Sequence, residues 1–309
     1  MLGYLIARLV SAAGVALGVV CLVFLLIHLV PGDPVEVMLG ESAQPADRAE
    51  LRHALGLDRP LAVQLGTYLA GLARGELGRS LRSRRPITAI LAERIPATAE
   101  LAGASLLIAV ALAIPLGMLA AMRRDSWWDF GAMSYAMLGV SIPNFVLGPV
   151  LILLFSVVLG WLPVSGREAP GAIILPAITL GTSMAAILSR MVRSALLEVL
   201  GDDYLRTARA KGLSETRVVW SHALPNAALP VVTVIGLQLG TLLGGAVITE
   251  IVFSWPGVGH LTIEAIQRRD YPLLQSAVLV VSLAYVIVNT LTDLVYAWLD
   301  PRVRLAESG

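Results

Sequence analysis

The chain has 309 residues, 57% hydrophobic and only 15% charged, with a net charge of +1. An ordinary soluble domain carries roughly a quarter charged residues. This much apolar surface therefore calls for a second solvent, and a soluble bundle of unusually apolar helices is the poorer reading. Nothing in the charge balance implies nucleic acid, and a single cysteine, Cys21, excludes a disulfide within the chain.

Uncharged windows lie at 9–32, 101–122, 130–166, 169–189, 218–249 and 271–292. Each is long enough to cross a hydrocarbon layer of about 30 Å as a helix of about 20 residues, and a helix satisfies its own backbone in lipid. Six spans are predicted. The first, 9–30, is longer than a signal-peptide core and has no small-residue cleavage pattern before Pro31, so it reads as a retained span. Pro31, Gly32, Asp33 and Pro34 stop it sharply. The polar segment that follows is predicted to hold short amphipathic helices at 47–55, 61–73 and 87–94, the first closed by Gly56 and the others opened by Pro60 and Pro86. It reads as a cap on the outer face.

The second span begins after Pro96, with Pro115 and Gly117 near its inner end. The third, 131–159, is kinked at Pro143-Asn144 and Gly148-Pro149. It is followed by a turn at Gly160, Pro163 and Gly166, with Trp128 and Trp161 placed as interfacial anchors. The fourth, 171–192, contains Pro176 and Gly181. In the fifth, 227–249, Gly236, Gly240 and Gly244 recur every four residues and form a face for close helix packing. The alternative is that glycines are simply common in membrane helices. The sixth span covers 276–298.

Placing the N-terminus in the cytoplasm puts eleven basic residues on that side, among them Arg8, Arg123, Arg124, Arg190, Arg193, Arg302 and Arg304. Three, Arg167, Arg268 and Arg269, then lie in short outer loops. Nine more, from Arg48 to Arg94, sit in the long connection, where the positive-inside rule weighs little. Both termini are expected in the cytoplasm.

The stretch 202–226 between spans four and five divides into two short helices. Asp202 or Asp203 can cap the first, Gly212 ends it in left-handed backbone, and Ser214 can cap the second, with Glu215 in its first turn. Tyr204, Leu205 and Ala208 form one apolar strip, and Val218, Val219, His222 and Ala223 form another. Physics alone leaves two readings open: an amphipathic loop on lipid headgroups, favoured by Arg206, Arg209, Lys211 and Arg217, or a docking element for a soluble partner.

The residues carry a resemblance. Ala208, Gly212, Leu224 and Pro225 fall in register with the EAA loop of ABC importer permeases, with Arg206, Thr207 and His222 at other motif positions. The wording Tyr-Leu-Arg-Thr-Ala-Arg-Ala-Lys-Gly-Leu-Ser is similar to that of the dipeptide, oligopeptide and nickel subgroup. Ser141-Ile-Pro-Asn144, Gly75-Glu-Leu-Gly-Arg-Ser-Leu81 and Phe253-Ser-Trp-Pro-Gly-Val-Gly259 agree, so the resemblance covers nearly the whole chain. It implies an all-α integral membrane protein with six transmembrane helices, the type I ABC importer permease fold, and a cap after the first helix. The divisions would be 1–32, 33–95, 96–299 and a tail 300–309.

It further implies a second homologous permease, two cytoplasmic ATPase subunits that hold ATP and Mg, and an extracytoplasmic substrate-binding protein, in a bacterial cytoplasmic membrane. Asp203, Tyr204, Arg206, Ala208, Arg209, Lys211, Gly212, Leu224 and Pro225 would couple to one ATPase. Ala208 and Gly212 would allow close approach, and Arg206, Arg209 and Lys211 would orient the dock. Movement of the loop would tilt spans three to five and switch access for a dipeptide, oligopeptide, nickel or glutathione cargo.

The chain's one lysine, Lys211, precedes Gly212 rather than Ser or Thr, so no phosphate loop is present and any ATP site lies on a partner. A carrier driven by an ion gradient is the alternative function. It would need ionisable groups near mid-membrane, and the spans hold few: His28, Glu250 and Asp293 all lie near span ends, with Asp293 read as an interhelical contact. Neither a His-Glu-x-x-His motif nor a Gly-x-Ser-x-Gly elbow appears, and the four scattered histidines suggest no metal, so catalysis and cofactors on this chain are not expected. Ser141, Asn144, Thr233 and Gln238 are candidates for an uncharged pore lining, with interhelical hydrogen bonding as the competing role.

Overall fold

The computed structural model describes residues 2–29, 35, 44–54 and 57–299. The predicted stop at Pro31, Gly32, Asp33 and Pro34, the start of the cap, and the tail with Arg302 and Arg304 lie outside the described residues.

The architecture is helical: α1 (Leu2–Leu29), α2 (Pro45–Ala54), α3 (Leu61–Ala73), α4 (Ile87–Met122), α5 (Trp127–Ser141), α6 (Asn144–Leu151), α7 (Ile174–Val199), α8 (Asp203–Ala210), α9 (Glu215–Val218), α10 (Leu224–Val252), α11 (Val258–Gln267) and α12 (Tyr271–Leu299). Five stretches are long and apolar enough to cross a membrane, and α5 with α6 makes a sixth if that bent pair is one span. Outward faces are rich in apolar side chains such as Leu107, Phe130, Met137 and Val157, as a lipid-facing surface requires.

Two predicted boundaries change. The short helix expected at 87–94 is the opening of α4, which runs 36 residues through Pro96 and Pro115. Proline costs an interior helix about 3 kcal/mol, and burial of Ile87, Ile90 and Leu91 against α11 and α12 holds the extension in place. The third span, expected to be kinked, is broken. The axes of α5 and the segment from Asn144 to Val158 differ by 104°. The cause is local: the ring of Pro143 pushes the preceding residue out of helical backbone, and Ile142 sits at φ −89°, ψ 113°.

The core lies between α4 and α7, where Leu101, Ala109, Ala113, Leu180, Ala185 and Leu188 are buried together with Trp255. A β-carbon on Gly181 would stand 2.8 Å from the Ser105 carbonyl oxygen, so only glycine allows these two backbones their approach. The glycine face expected on the fifth span packs on α12. A β-carbon on Gly236 would collide with Thr292, and one on Gly240 would lie 2.7 Å from the Tyr285 ring. The surroundings of Gly244 lie outside the described residues. At the periphery α1 packs along α12, and Arg8 is ion-paired with Asp293, an interhelical contact as anticipated for that carboxylate.

Candidate coupling surface

At one end of the bundle, the segment from Asp202 to Ala223 folds back onto the helices that carry it. Leu205, Ala208, Val218, Val219 and Ala223 are buried with Met118 and Ala121 of α4, Val192, Ala195 and Leu196 of α7, and Ala227 and Val231 of α10. Leu205 and Ala208 of one predicted strip, and Val218, Val219 and Ala223 of the other, therefore serve as internal contacts, whereas Tyr204 is exposed. Ala208 is buried in this cluster, and its small side chain lets α8 lie close to its own bundle. Leu224 is likewise drawn onto this cluster.

The outward side is mixed, with charged and polar groups around two exposed aromatic rings. Asp203, Tyr204, Arg206, Thr207, Lys211, Gly212 and Pro225 are exposed, as is Trp220. Arg206 pairs with Asp203 at 3.3 Å. Arg209 is half-buried and spans the turn, its Nε donating to Glu215 at 2.6 Å and its Nη1 to the Leu200 carbonyl at 3.5 Å. It therefore braces the element rather than reaching outward. Asn226 Nδ2 donates to the Tyr204 hydroxyl at 3.1 Å and to the His222 carbonyl at 2.7 Å, tying α8 to the start of α10. Desolvation pushes the Tyr204 phenol up.

Gly212 holds φ +79°, the left-handed position expected at the end of the first short helix, and among the described residues beyond its chain neighbours nothing lies within 4 Å of where its β-carbon would be. Asp202 and Ser214 occupy the cap positions, but neither side chain makes the capping bond. The second short helix has no end of its own. From Glu215 it passes through a π-helical segment, Val219–Ala223, straight into α10. Pro225 supplies the reason: it has no N–H to close the turn and its ring crowds the carbonyl four residues before it, which a widened turn accommodates. The exposed loop is thus built onto the first turns of one helix and the last turns of another.

Beside it, Arg193 of α7 makes a bidentate pair with Asp129 of α5. Nε donates to Oδ1 and Nη2 to Oδ2, both at 2.7 Å, with the Asp129 side chain 7% exposed. Asp129 also accepts the Asp125 N–H at 3.1 Å, and its own N–H reaches the capping Ser126 hydroxyl at 3.5 Å. An acidic residue three positions after a serine marks a helix start, but nothing in the linear order joins it to an arginine 64 residues on. A cavity of about 480 Å³ opens next to this pair, lined by Met133, Ile187, Arg190, Met191, Arg193 and Ser194.

The four pore candidates do not form one hydrogen-bonded set among the described residues. Ser141, at the break, donates to the Met137 carbonyl at 2.8 Å, and Thr233 donates to Leu229 at 3.0 Å. Asn144 accepts from Ser183 of α7 at 2.5 Å, an interhelical bond, and the backbone of Gln238 accepts from Thr241 at 2.9 Å.

At the other end of α10, Glu250 is fully buried. Its carboxylate accepts from Thr98 Oγ1 at 2.7 Å and from the His260 N–H at 2.8 Å. Thr98 in turn accepts the Val258 N–H at 2.8 Å, and Trp255 Nε1 donates to the Ala97 carbonyl at 2.8 Å. A β-carbon on Gly257 would collide with the carboxylate. The Phe253–Gly259 stretch is therefore a turn wrapped around one acid and fixed to α4.

Comparisons with known proteins identify the family. Residues 113–305 match the family described as binding-protein-dependent transport system inner membrane component, and residues 1–102 match its N-terminal counterpart. The chain belongs to that family. Among curated relatives, the permease is 46% identical over 333 residues to the di/tripeptide transport system permease protein DppB of Pseudomonas aeruginosa (strain UCBPP-PA14), covering 98% of this chain and 99% of that one. It is 44% identical over 304 residues to the glutathione transport system permease protein GsiC of Salmonella choleraesuis (strain SC-B67), covering 98% and 99%. It is also 44% identical over 336 residues to the dipeptide transport system permease protein DppB of Escherichia coli (strain K12), again covering 98% and 99%.

Among solved structures, an inward-facing form of the MetNI methionine ABC transporter matches with a TM-score of 0.58 at 19% identity, over 69% of this chain and 97% of that one. The permease therefore has the expected type I ABC importer permease fold and is a multi-pass membrane protein.

Proposed function

We propose that this permease is half of the translocation pore of an ATP-driven importer for short peptides, and that the segment 202–225 seats on a cytoplasmic ATPase. A second permease of similar fold, two ATPase subunits holding ATP and Mg, and an extracytoplasmic substrate-binding protein complete the assembly, with both termini of this chain in the cytoplasm. The observation that carries the reading is the loop's division of labour. Its aliphatic side chains are spent inside the bundle, while Asp203, Tyr204, Arg206, Lys211, Gly212 and Trp220 are exposed at the joint between α7 and α10. A surface attached this directly to two spanning helices moves them when a partner moves it. Transmission requires a partner whose contacts with the loop differ between its nucleotide states. The full-length similarity to peptide and glutathione permeases supports the cargo class.

The test uses a Cys21→Ser background with single cysteines placed from 203 to 222. Cross-links to the ATPase that change with nucleotide are expected at 204, 206, 211 and 220. Failure of every position to reach an ATP-hydrolysing subunit, under any nucleotide condition, overturns the assignment.

A further inference from the structure

The end of the bundle opposite the coupling loop carries two tight turns side by side. One spans 79–86, before α4, and the other spans 268–270, between α11 and α12. In each an arginine holds left-handed backbone, Arg84 at φ +58° and Arg269 at φ +53°. That conformation favours glycine, asparagine or aspartate. Arginine in both turns runs against local preference, and such outliers point to function.

One carboxylate locks the turns together. Asp270, buried, accepts the Ser80 hydroxyl at 2.5 Å, the Leu81 N–H at 3.2 Å and the Arg82 N–H at 3.4 Å from the first turn. It also accepts the Leu273 N–H at 3.3 Å from its own helix. Between the turns lies a cavity of about 150 Å³ whose lining includes Arg82, Arg85, Arg94 and Arg268.

Three acids line it and all are engaged: Asp270 by the Ser80 hydroxyl and backbone N–H groups, Glu93 by Arg85, and Glu264 by Arg94 and Arg268. Arg82, Arg84 and Arg269 are exposed and make no ion pair among the described residues, and Ile266 is exposed beside them. The result is a net cationic face of fixed shape with an exposed apolar side chain at its edge. Arginine with an adjacent apolar anchor is a composition of protein interfaces.

We propose that this face docks an acidic lobe of the extracytoplasmic substrate-binding protein. The proposal rests on the importer reading, which turns this end outward. Geometry favours a protein over lipid headgroups: a buried carboxylate fixes the spacing of the two turns, which matters to a partner of fixed shape and not to a fluid surface. Charge complementarity of this kind acts on encounter rate and orientation, and salt screens it.

The experiment takes the complete transporter in nanodiscs of neutral phosphatidylcholine. The probe is the purified substrate-binding protein that supports uptake through the wild-type complex. For the triple variant R82Q/R84Q/R269Q, association at low salt is expected to slow by about tenfold and to lose its salt dependence. ATP hydrolysis should then need more binding protein to reach an unchanged maximum. A second variant, R84G/R269G, separates docking from folding. Relief of the left-handed backbone should raise its thermal stability, while docking still weakens.

Association of the triple variant at wild-type rates across all salt concentrations overturns the proposal. A defect seen only in nanodiscs of anionic lipid also overturns it and assigns the arginines to headgroups. Uptake by the wild-type complex with no binding protein present overturns the importer reading itself, a result distinct from either.

Discussion

Replacing Asp129 with asparagine keeps the size of the side chain and removes its charge. In the native chain the carboxylate closes two parallel bonds of 2.7 Å to Arg193, with side-chain exposures of 7% and 25% for the acid and the base. Breaking a fully buried ion pair by removing one partner costs about 3–5 kcal/mol. Arg193 keeps a quarter of its side chain exposed and borders a cavity that admits water, so the cost falls to about 2 kcal/mol, in the range of a hydrogen bond to a charged group.

The loss is expected at a particular place. Asp129 sits on α5, the first half of the broken span, and Arg193 sits two turns before the coupling loop begins. With the clamp open, loop movement should reach α7 but no longer carry α5 with it. Thermal unfolding of the purified complex should show lowered stability, and ATP hydrolysis should continue while uptake falls. R193K, which keeps charge but not the planar fork, should fall between the variant and wild type. The swap D129R/R193D should recover part of both losses. Wild-type stability and uptake in D129N would refute the clamp.

Three further outcomes follow from the same packing. Glu250→Leu removes the acceptor for Thr98 and for the His260 N–H, leaving buried donors unsatisfied at about 1–3 kcal/mol. Protease should then cut between α10 and α11 sooner than in wild type. Gly240→Val must displace the Tyr285 ring from its present 2.7 Å approach, and overpacking of this sort costs about 1–3 kcal/mol. G240V should unfold at lower temperature, whereas glycine-to-valine at Gly14, which faces open space, should not. At Gly212, asparagine tolerates left-handed backbone and valine does not. G212V should insert normally and lose uptake. Retained uptake in G212N would assign the glycine to the turn, and its loss there would assign it to space at the partner.

Much of this protein is decided by composition and local chemistry, and was legible for that reason. Lipid admits few backbone solutions, so uncharged windows of sufficient length mark helices whatever they pack against. Gly212 ends its short helix because only its own backbone geometry is at issue, and Gly236 and Gly240 form a packing face because their spacing already places them on one side of a helix. Where tertiary contacts compete with local rules, the local rules lose. Pro96 marks a helix start by propensity, yet α4 runs through it because Ile87, Ile90 and Leu91 gain more by burial than the proline costs. Pro143 goes the other way: Ile142 leaves helical backbone ahead of its ring, and the expected kink becomes a break.

The functional side chains divide along the same line. Amphipathic strips on the coupling segment could be read from periodicity, but not which of two apolar environments they face, because a helix surface is equally consistent with a partner's groove and its own bundle. Tertiary structure turned Leu205, Ala208, Val218 and Val219 inward. The pairs that join distant elements, Asp129 with Arg193, Glu250 with Thr98 and Asp270 with Ser80, lie outside the reach of any sequence window. Their energy depends on burial and distance, quantities that exist only once the chain has folded.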